Sequence, residues 1–147
     1  GKTCLLVLTE RATRKEIIKK MRGRTQEAVK KALDKIERRL GARCFREAFK
    51  SITSDNGGEF LNQEWIEKSC INTKKKRTTL YYCHPYSAWE RGSNENANKL
   101  IRRFIPKGAD IADYSEAAIA RIERYMNNYP RKLLDGYSPN DLYEKIT

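Results

Sequence analysis

Two acidic residues occupy positions from which they could bind a shared ligand. The first, Asp55, follows a run of strand-like composition, residues 49–53, and precedes Asn56, Gly57 and Gly58. The run predicts a β-strand, so the Asp55 carboxylate would stand at the strand's end, where the glycines let the backbone turn sharply. Asn-Gly is also typical of hairpin turns, and taken alone it explains Asp55 as a turn residue.

The second acid, Glu95, lies near the start of a predicted helix for which Ser93 is a suitable N-cap. At about 100° per residue, the helix has an apolar side and a polar side. The apolar side comprises Ala97, Leu100, Ile101 and Phe104, and the polar side comprises Glu95, Asn98, Lys99 and Arg102. An acid in the first turn also stabilises a helix, and polar faces are usually solvated. A carboxylate, an amide and two cations on one face could nevertheless hold a metal ion and a phosphate backbone together.

The two carboxylates together predict metal-dependent chemistry on phosphodiesters. Magnesium prefers oxygen ligands and typically binds through one or two carboxylates plus substrate phosphates. Two such ions could activate the attacking oxygen and stabilise the leaving one. His84, the only histidine, is not required as a general base and is interpreted as a structural residue before Pro85.

Composition favours a polyanionic partner for a globular domain. The net charge is +12, from 31 Lys and Arg against 19 Asp and Glu, and 39% of the residues are hydrophobic. Basic domains bind phosphates with release of counterions, so ribosomal proteins, nucleic-acid enzymes and membrane-surface modules all fit. The length predicts one domain over residues 1–147. No apolar run is long enough to span a membrane, which predicts an intracellular, soluble protein.

The four cysteines argue against a metal or disulfide framework. Cys4, Cys44, Cys70 and Cys83 are widely spread and contain no Cys-x-x-Cys pair. This spacing is not that of a zinc site, and a domain of this size does not need disulfide bonds. We expect reduced, mostly buried thiols.

Strand and helix signals alternate along the chain, which predicts an α/β domain. Strands are predicted at 3–9, 15–21, 49–53 and 78–83, the second an edge strand protected by its lysines. Helices are predicted at 26–40, 63–70 and 93–104, and up to Pro130 from a cap at Ser115 or Asp113, with a last one starting at Ser138. Residues 74–77 are interpreted as an exposed basic loop. Tyr125, Tyr129 and Tyr137 are interpreted as packing residues rather than stacking platforms for bases.

Three segments resemble the integrase core of bacterial insertion-sequence transposases, most closely the IS-thirty family, in the superfamily that includes retroviral integrases. They are DNGGEF at 55–60, HPYSAWERG at 84–92 and NENANKLIRRF at 94–104, with further matches at 8–11 and 127–132. The resemblance implies a ribonuclease-H-like mixed sheet flanked by helices. It also implies three catalytic acids, Asp, Asp and Glu, which bind two Mg²⁺ or Mn²⁺ ions.

The resemblance assigns roles to particular residues. Asp55 matches the second acid, and Glu95 matches the third because the family's helix signature follows it. Other matched residues would contact or orient DNA from the helix or from the mobile loop beside the active site. These residues are Asn98, Lys99 and Arg102 on the helix and Tyr86, Ser87, Trp89 and Arg91 in the loop.

Two features depart from the family's pattern. First, 39 residues separate Asp55 from Glu95, more than is common. Glu90, after 34 intervening residues, fits a familiar integrase spacing better, but its loop position favours Glu95. Second, the family's first catalytic Asp lies on a strand before residues 3–9, whereas the first Asp here, Asp34, lies in a helix. We therefore expect a catalytic core that lacks its first strand and first acid and is inactive alone.

These observations predict a DNA transposase or integrase core that cleaves phosphodiester bonds and transfers strands. The expected partners are transposon ends and target DNA, bound by a homo-oligomer at the bacterial nucleoid in the cytoplasm. Two alternatives remain open. One is a non-catalytic nucleic-acid-binding remnant, and the other is a regulatory or dimerisation fragment.

Overall fold

The computed structural model describes residues 2–54, 62–82 and 97–146. The strands are β1 (Thr3–Glu10), β2 (Glu16–Arg22), β3 (Ser51–Ser54) and β4 (Thr79–Tyr82). The helices are α1 (Gln26–Leu40), α2 (Ala42–Ala48), α3 (Gln63–Glu67), α4 (97–102), α5 (Glu116–Asn128) and α6 (Pro139–Ile146). Short 3₁₀ turns cover Ile111–Asp113 and Lys132–Leu134.

The four strands form one mixed sheet in the order β2-β1-β3-β4. β1 pairs with β2 in antiparallel register from Thr3↔Arg22 to Thr9↔Glu16, whereas β3 and β4 run parallel. β1 meets β3 only at the end of β1, through two antiparallel residue pairs. Within the described ranges, residues 3–8 of β1 therefore have no strand partner on the side away from β2.

Helices cover both faces of the sheet. Alternate residues of β1 point to opposite faces, so Leu6 and Leu8 join one apolar cluster while Leu5 and Val7 pack against another. The first cluster includes Val29, Leu33, Ile36, Phe45, Ile52, Ile66 and Leu80 from α1, α2, α3, β3 and β4. The second includes Ile18, Ala97, Leu100, Ile101, Ile105, Ile119, Ile122 and Met126 from β2, the α4 region and α5. This arrangement confirms the predicted mixed sheet flanked by helices.

Local capping signals determine where α1 and α5 begin. The Thr25 hydroxyl accepts a hydrogen bond from the Ala28 amide at 3.1 Å, and Ser115 accepts one from Ala118 at 3.0 Å. α1 ends at Gly41, whose φ of 89° is accessible to glycine without strain. These boundaries confirm the sequence predictions for both helices.

The boundaries of β3 and α3 differ from prediction. Residues 42–48 form α2, which was not predicted, and Phe49 caps that helix, with its ring 5.2 Å from the Phe45 ring. The strand consequently begins at Ser51 rather than at Phe49. α3 ends at Glu67 instead of Cys70, because Lys68 is extended and forms an isolated bridge with Lys76.

The helix that contains residues 97–102 also ends earlier than predicted. Its last turn tightens as the amides of Phe104 and Ile105 both donate to the Ile101 carbonyl, at 3.0 and 2.9 Å. Ile105 then occupies the core, and Phe104 is 38% exposed. Phe104 was predicted to be on the apolar side, and that prediction is wrong.

The described cysteines are less buried than predicted. Cys4, Cys44 and Cys70 are all free thiols. Cys44 is exposed and the other two are half-buried. Cys83 lies outside the described residues. No helix in the described ranges is long and apolar enough to cross a membrane.

Candidate nucleic-acid interface

Most of the predicted catalytic site lies outside the described residues. Asp55 and Glu95, the two predicted metal ligands, fall in the undescribed ranges, and so do Glu90 and His84. The same holds for Tyr86, Ser87, Trp89 and Arg91. Their roles stay predictions. The structure does describe β3, which directly precedes Asp55, and the polar helical residues that follow Glu95.

A buried carboxylate anchors the beginning of β3. Glu10 is almost fully buried, and its Oε1 accepts hydrogen bonds from the amides of Ala12 and Thr13, at 2.8 and 2.9 Å. Its Oε2 accepts from the amide of Ser51, the first residue of β3, at 3.2 Å. The hydroxyls of Thr13 and Ser51 also donate to Oε1 and Oε2, at 3.3 and 3.4 Å. Because these donors occupy both oxygens, Glu10 ties the turn after β1 to β3 and is not a free metal ligand.

Hydrogen bonds link the contact between β1 and β3 to a second buried acid, Glu16. Thr53 donates its hydroxyl to the Thr9 carbonyl at 3.2 Å, and the Thr9 hydroxyl donates to Glu16 Oε2 at 2.8 Å. Burial raises the pKa of Glu16 to about 7, although Arg131, whose Nη1 is 3.9 Å from Oε1, opposes the rise. The strand that leads to Asp55 is thus connected through buried polar groups to the far edge of the sheet.

The helical face after Glu95 is exposed, as predicted. Asn98, Lys99 and Arg102 are exposed, whereas the apolar residues Ala97, Leu100 and Ile101 are buried. These three polar residues are therefore accessible to a DNA backbone. Their exposure supports their predicted role but does not by itself distinguish it from a solvated face.

A groove of about 1110 Å³ adjoins this face and the unpaired edge of β1. Asn98 and Arg102 line it together with β1 residues 3–7 and the segment 108–111. Three of its lining residues, Lys2, Arg24 and Arg102, are cationic, and Asp110 is the one acid among them. The excess of positive charge in this lining favours an anionic occupant over a cation.

A buried ion-pair cluster holds the basic segment 74–77 in place. Arg77 is 0% exposed, so its predicted position in an exposed loop is wrong. Its Nη1 lies 2.6 Å from Asp34 Oδ1 and 3.1 Å from Glu37 Oε1. Its Nε and Nη2 donate to the carbonyls of Ile66 and Trp65, at 2.7 and 2.9 Å. Arg77 is buried because its guanidinium donors meet carboxylate and carbonyl oxygens on α1 and α3.

This cluster has the geometry of a metal site but not its charge balance. Ligand atoms of Asp34, Glu37 and Cys70 lie within 4.8 Å of one another. Burial raises the pKa of Asp34, but hydrogen bonds from Lys30 and Arg77 outweigh it, so the net pKa lies below the usual value. Since Arg77 and Lys30 already neutralise the carboxylates, we assign the cluster a structural role.

No protein-family model matches the chain. It is 37% identical over 145 residues to a transposase for insertion sequence element IS4351 of Bacteroides fragilis, covering 99% of the chain and 41% of that protein. It is 32% identical over 141 residues to the transposase InsI for IS30A of Escherichia coli K12, covering 96% of the chain and 34% of that protein. The chain is a homologue of IS30-type insertion-sequence transposases.

A third relative extends this relationship. The probable transposase for insertion-like sequence element IS1161 of Streptococcus salivarius is 33% identical over 145 residues, which is 98% of the chain and 37% of that protein. The chain thus spans about two fifths or less of the length of these relatives. The resemblance inferred from the three motifs is confirmed.

Sequence reasoning missed the buried acids that organise this region. Asp34 and Glu37 were not singled out, although they interrupt the cationic face of α1 at a spacing of three residues. Acids at that spacing on a basic helix also form ion pairs with lysines of the same helix, so they do not identify a buried partner. Glu10 carried no signal beyond its place in the motif at residues 8–11.

Proposed function

We propose that this chain is part of the catalytic core of a DDE-type DNA transposase. Such an enzyme cleaves phosphodiester bonds at the ends of a mobile element and joins the 3′-hydroxyls to target DNA. The observation that carries the proposal is 37% identity to a transposase over 99% of the chain. The partners would be element ends and target DNA, bound by a homo-oligomer at the nucleoid in the bacterial cytoplasm.

The proposal includes a ribonuclease-H-like sheet with one more strand, which would lie along residues 3–8 of β1. The edge at residues 3–8 of β1, which pairs with no further strand of the described residues, supports it, because exposed backbone donors and acceptors in a sheet require partners. The adjoining groove of about 1110 Å³ offers space for an added strand. That strand would supply the first catalytic Asp. Together with Asp55 and Glu95 it would complete the three acids of the proposed active site.

The chemistry of the proposed ligands fits Mg²⁺ or Mn²⁺. Asp55 and Glu95 offer hard carboxylate oxygens, which these ions prefer. Asp34 and Glu37 would not compete for the ion, since Arg77 and Lys30 already neutralise them. When bound, the ions would lower the pKa of the attacking hydroxyl and stabilise the leaving oxygen.

The remaining residues would position DNA. The exposed side chains of Asn98, Lys99 and Arg102 would contact phosphates beside the metal ligands. Tyr86, Ser87, Trp89 and Arg91 would do so from the preceding loop. Glu10 would act at a distance, because its hydrogen bonds to Ser51 hold the strand that leads to Asp55.

A strand-transfer assay with Mg²⁺ tests the proposal. The chain of residues 1–147 would be compared with a longer form that carries an N-terminal segment with an Asp. We expect activity only in the longer form, its loss with EDTA, and a reduction of at least about 100-fold with Asp55→Asn or Glu95→Gln. Glu64→Gln, at an exposed acid on α3, is the matched control and should retain activity.

Three outcomes would contradict parts of the proposal. Activity of residues 1–147 alone would show that no acid is missing. A longer form that binds DNA without transferring strands would favour the nucleic-acid-binding remnant. Loss of activity with Glu90→Gln but not with Glu95→Gln would make Glu90 the third acid.

A further inference from the structure

Three aromatic rings form a continuous surface where the segment after α4 meets α5. The ring centroids of Phe104 and Tyr125 are 4.9 Å apart at 72°, and those of Tyr125 and Tyr129 are 5.4 Å apart at 41°. Phe104 is 38% exposed and Tyr125 is 41% exposed. We call these rings, with Arg103, the aromatic–arginine surface.

Tyr129 packs against the second apolar cluster, but core packing does not account for Phe104 and Tyr125. Ile105 and Met126, each next in sequence to one of the rings, are buried in the second apolar cluster. Phe104 and Tyr125 therefore add little to that core while leaving aromatic area in water. A contiguous exposed aromatic surface of this kind indicates an interaction site. Tyr125 was interpreted as a packing residue, and its ring does pack on Phe104 and Tyr129 while remaining 41% exposed.

Cations border the surface, and the acids of α5 lie away from it. Arg103 Nη1 donates to the Tyr129 hydroxyl at 3.3 Å, and its guanidinium carbon is 5.4 Å from the centre of that ring. Arg121 is exposed one helical turn before Tyr125, on the same side of α5. Glu123 points to β2, where it accepts from the Ile18 amide at 2.7 Å and pairs with Lys19 at 3.4 Å.

The surface also continues the polar face of α4. Arg103 directly follows Arg102, which is exposed and belongs to the set predicted to contact DNA. Phe104 and the exposed Arg103 thus directly follow the polar residues of α4 in the chain. Aromatic rings stack with unpaired bases, and arginines neutralise the phosphates between them.

We propose that the aromatic–arginine surface binds single-stranded DNA by stacking unpaired bases on Phe104 and Tyr125. The proposal rests on the proposed function for its substrate class, DNA, and adds that part of this DNA is unpaired. Charge favours this occupant over a second copy of the chain. Two copies with a net charge of +12 each would bring like-charged arginines together across the surface.

Fluorescence anisotropy with the full chain and two labelled DNAs tests the proposal. The probes are a 20-nucleotide single strand and a 20-base-pair duplex. Tyr125→Leu keeps an apolar side chain but removes the stacking face, and we expect it to weaken single-strand binding about tenfold, with less than a threefold effect on the duplex. Tyr125→Phe should bind like the parent chain. Tyr137→Leu, at another exposed tyrosine, is the matched control and should have no effect.

A second variant separates stacking from charge. Arg121→Gln should weaken binding to both probes and reduce the salt dependence of the affinity. Circular dichroism and the thermal midpoint of each variant establish that it is folded, and Phe104→Leu provides an independent test of the surface if Tyr125→Leu is unfolded.

The proposal would be overturned if Tyr125→Leu and Phe104→Leu left single-strand affinity unchanged, or weakened both probes equally. It would also be overturned if Tyr125→Leu instead abolished a dimer detected by sedimentation, since a second copy would then be the occupant. Failure of the strand-transfer assay with intact single-strand binding would remove the proposed function but not this surface. Conversely, Asp55→Asn should abolish strand transfer and leave single-strand binding unchanged.

Discussion

The side-chain amide of Asn127 pairs with the backbone of Glu16 as a neighbouring strand residue would. Asn127 Oδ1 accepts from the Glu16 amide at 2.7 Å, and Nδ2 donates to the Glu16 carbonyl at 3.1 Å. Glu123, one turn earlier, accepts from the Ile18 amide. Side chains of α5 thus form hydrogen bonds with backbone groups on the outer edge of β2. The sequence had predicted only the lysines of β2 as protection of this edge.

Replacement of Asn127 should destabilise the fold. Asn127→Ala leaves the buried amide and carbonyl of Glu16 without partners, and we expect it to lower the free energy of unfolding by about 1–3 kcal/mol. Asn128→Ala, at the exposed neighbour, should change it by less than about 0.5 kcal/mol. Urea denaturation followed by circular dichroism measures both, and equal effects would contradict the assigned role.

Removal of the buried Arg77 guanidinium should lower the free energy of unfolding more than replacement of Asn127 does. Arg77→Met leaves Asp34 and Glu37 buried without their shared cation, and we expect a loss of about 3–5 kcal/mol in the free energy of unfolding. Lys75→Met removes the same charge from an exposed position two residues earlier and should be nearly neutral. Thermal and urea unfolding compare the two. An unchanged free energy of unfolding in Arg77→Met would show that the ion-pair cluster contributes little to stability.

The raised pKa of Glu16 predicts a pH dependence of stability. A folded-state pKa of about 7 exceeds the ordinary value of 4.5, so the folded chain binds this proton more tightly than the unfolded chain does. Its contribution is therefore complete below pH 4.5 and is lost as the pH rises to about 7.

Glu16→Gln should remove this dependence. Relative to the variant, the parent chain should lose about 2 kcal/mol of unfolding free energy between pH 5 and pH 8. Urea denaturation at the two pH values measures the difference, with Glu64→Gln, at an exposed acid, as the matched control. A relative gain in stability of the parent chain at pH 8 would contradict the assigned pKa.

Glu10 should control local order at the start of β3. Glu10→Gln replaces one acceptor oxygen by an NH₂ group, so amide donors on one side of the side chain lose their partner. We expect hydrogen exchange at the amide of Ser51 or Thr13 to become at least about tenfold faster, corresponding to about 1.4 kcal/mol of local stability. Glu47→Gln, at an exposed acid, should leave both amides unchanged. Unchanged exchange in Glu10→Gln would remove its proposed anchoring role.

Elements determined by neighbouring residues were predicted well. α1 and α5 could be located from their caps and apolar stripes, because these signals act within one or two helical turns. The same was true of β1, where a continuous apolar run is buried on both sides near Leu8. The exposed residues Asn98, Lys99 and Arg102 were also identified, since helical periodicity alone separates them from Leu100 and Ile101.

Two helix ends were predicted incorrectly, although the contacts that define them lie within one helical turn. Phe49 was assigned to a strand because its own neighbours favour one, whereas its contact with Phe45 makes it part of the end of α2. Phe104 was assigned to the core, but a tightened helix end gives that position to Ile105. In both cases, a competing packing partner decided between conformations that the local pattern could not distinguish.

The sequence by itself determined the caps, the periodic faces and the three motifs that relate the chain to IS30-type transposases, because each depends on residue types at short spacing. The tertiary structure alone decided that Arg77 is buried, since its carboxylate partners lie 40 and 43 residues away in sequence. It also decided that Asn127 closes the edge of β2 across 111 residues. Buried polar groups require partners wherever the fold supplies them, and that requirement leaves no local pattern in the sequence.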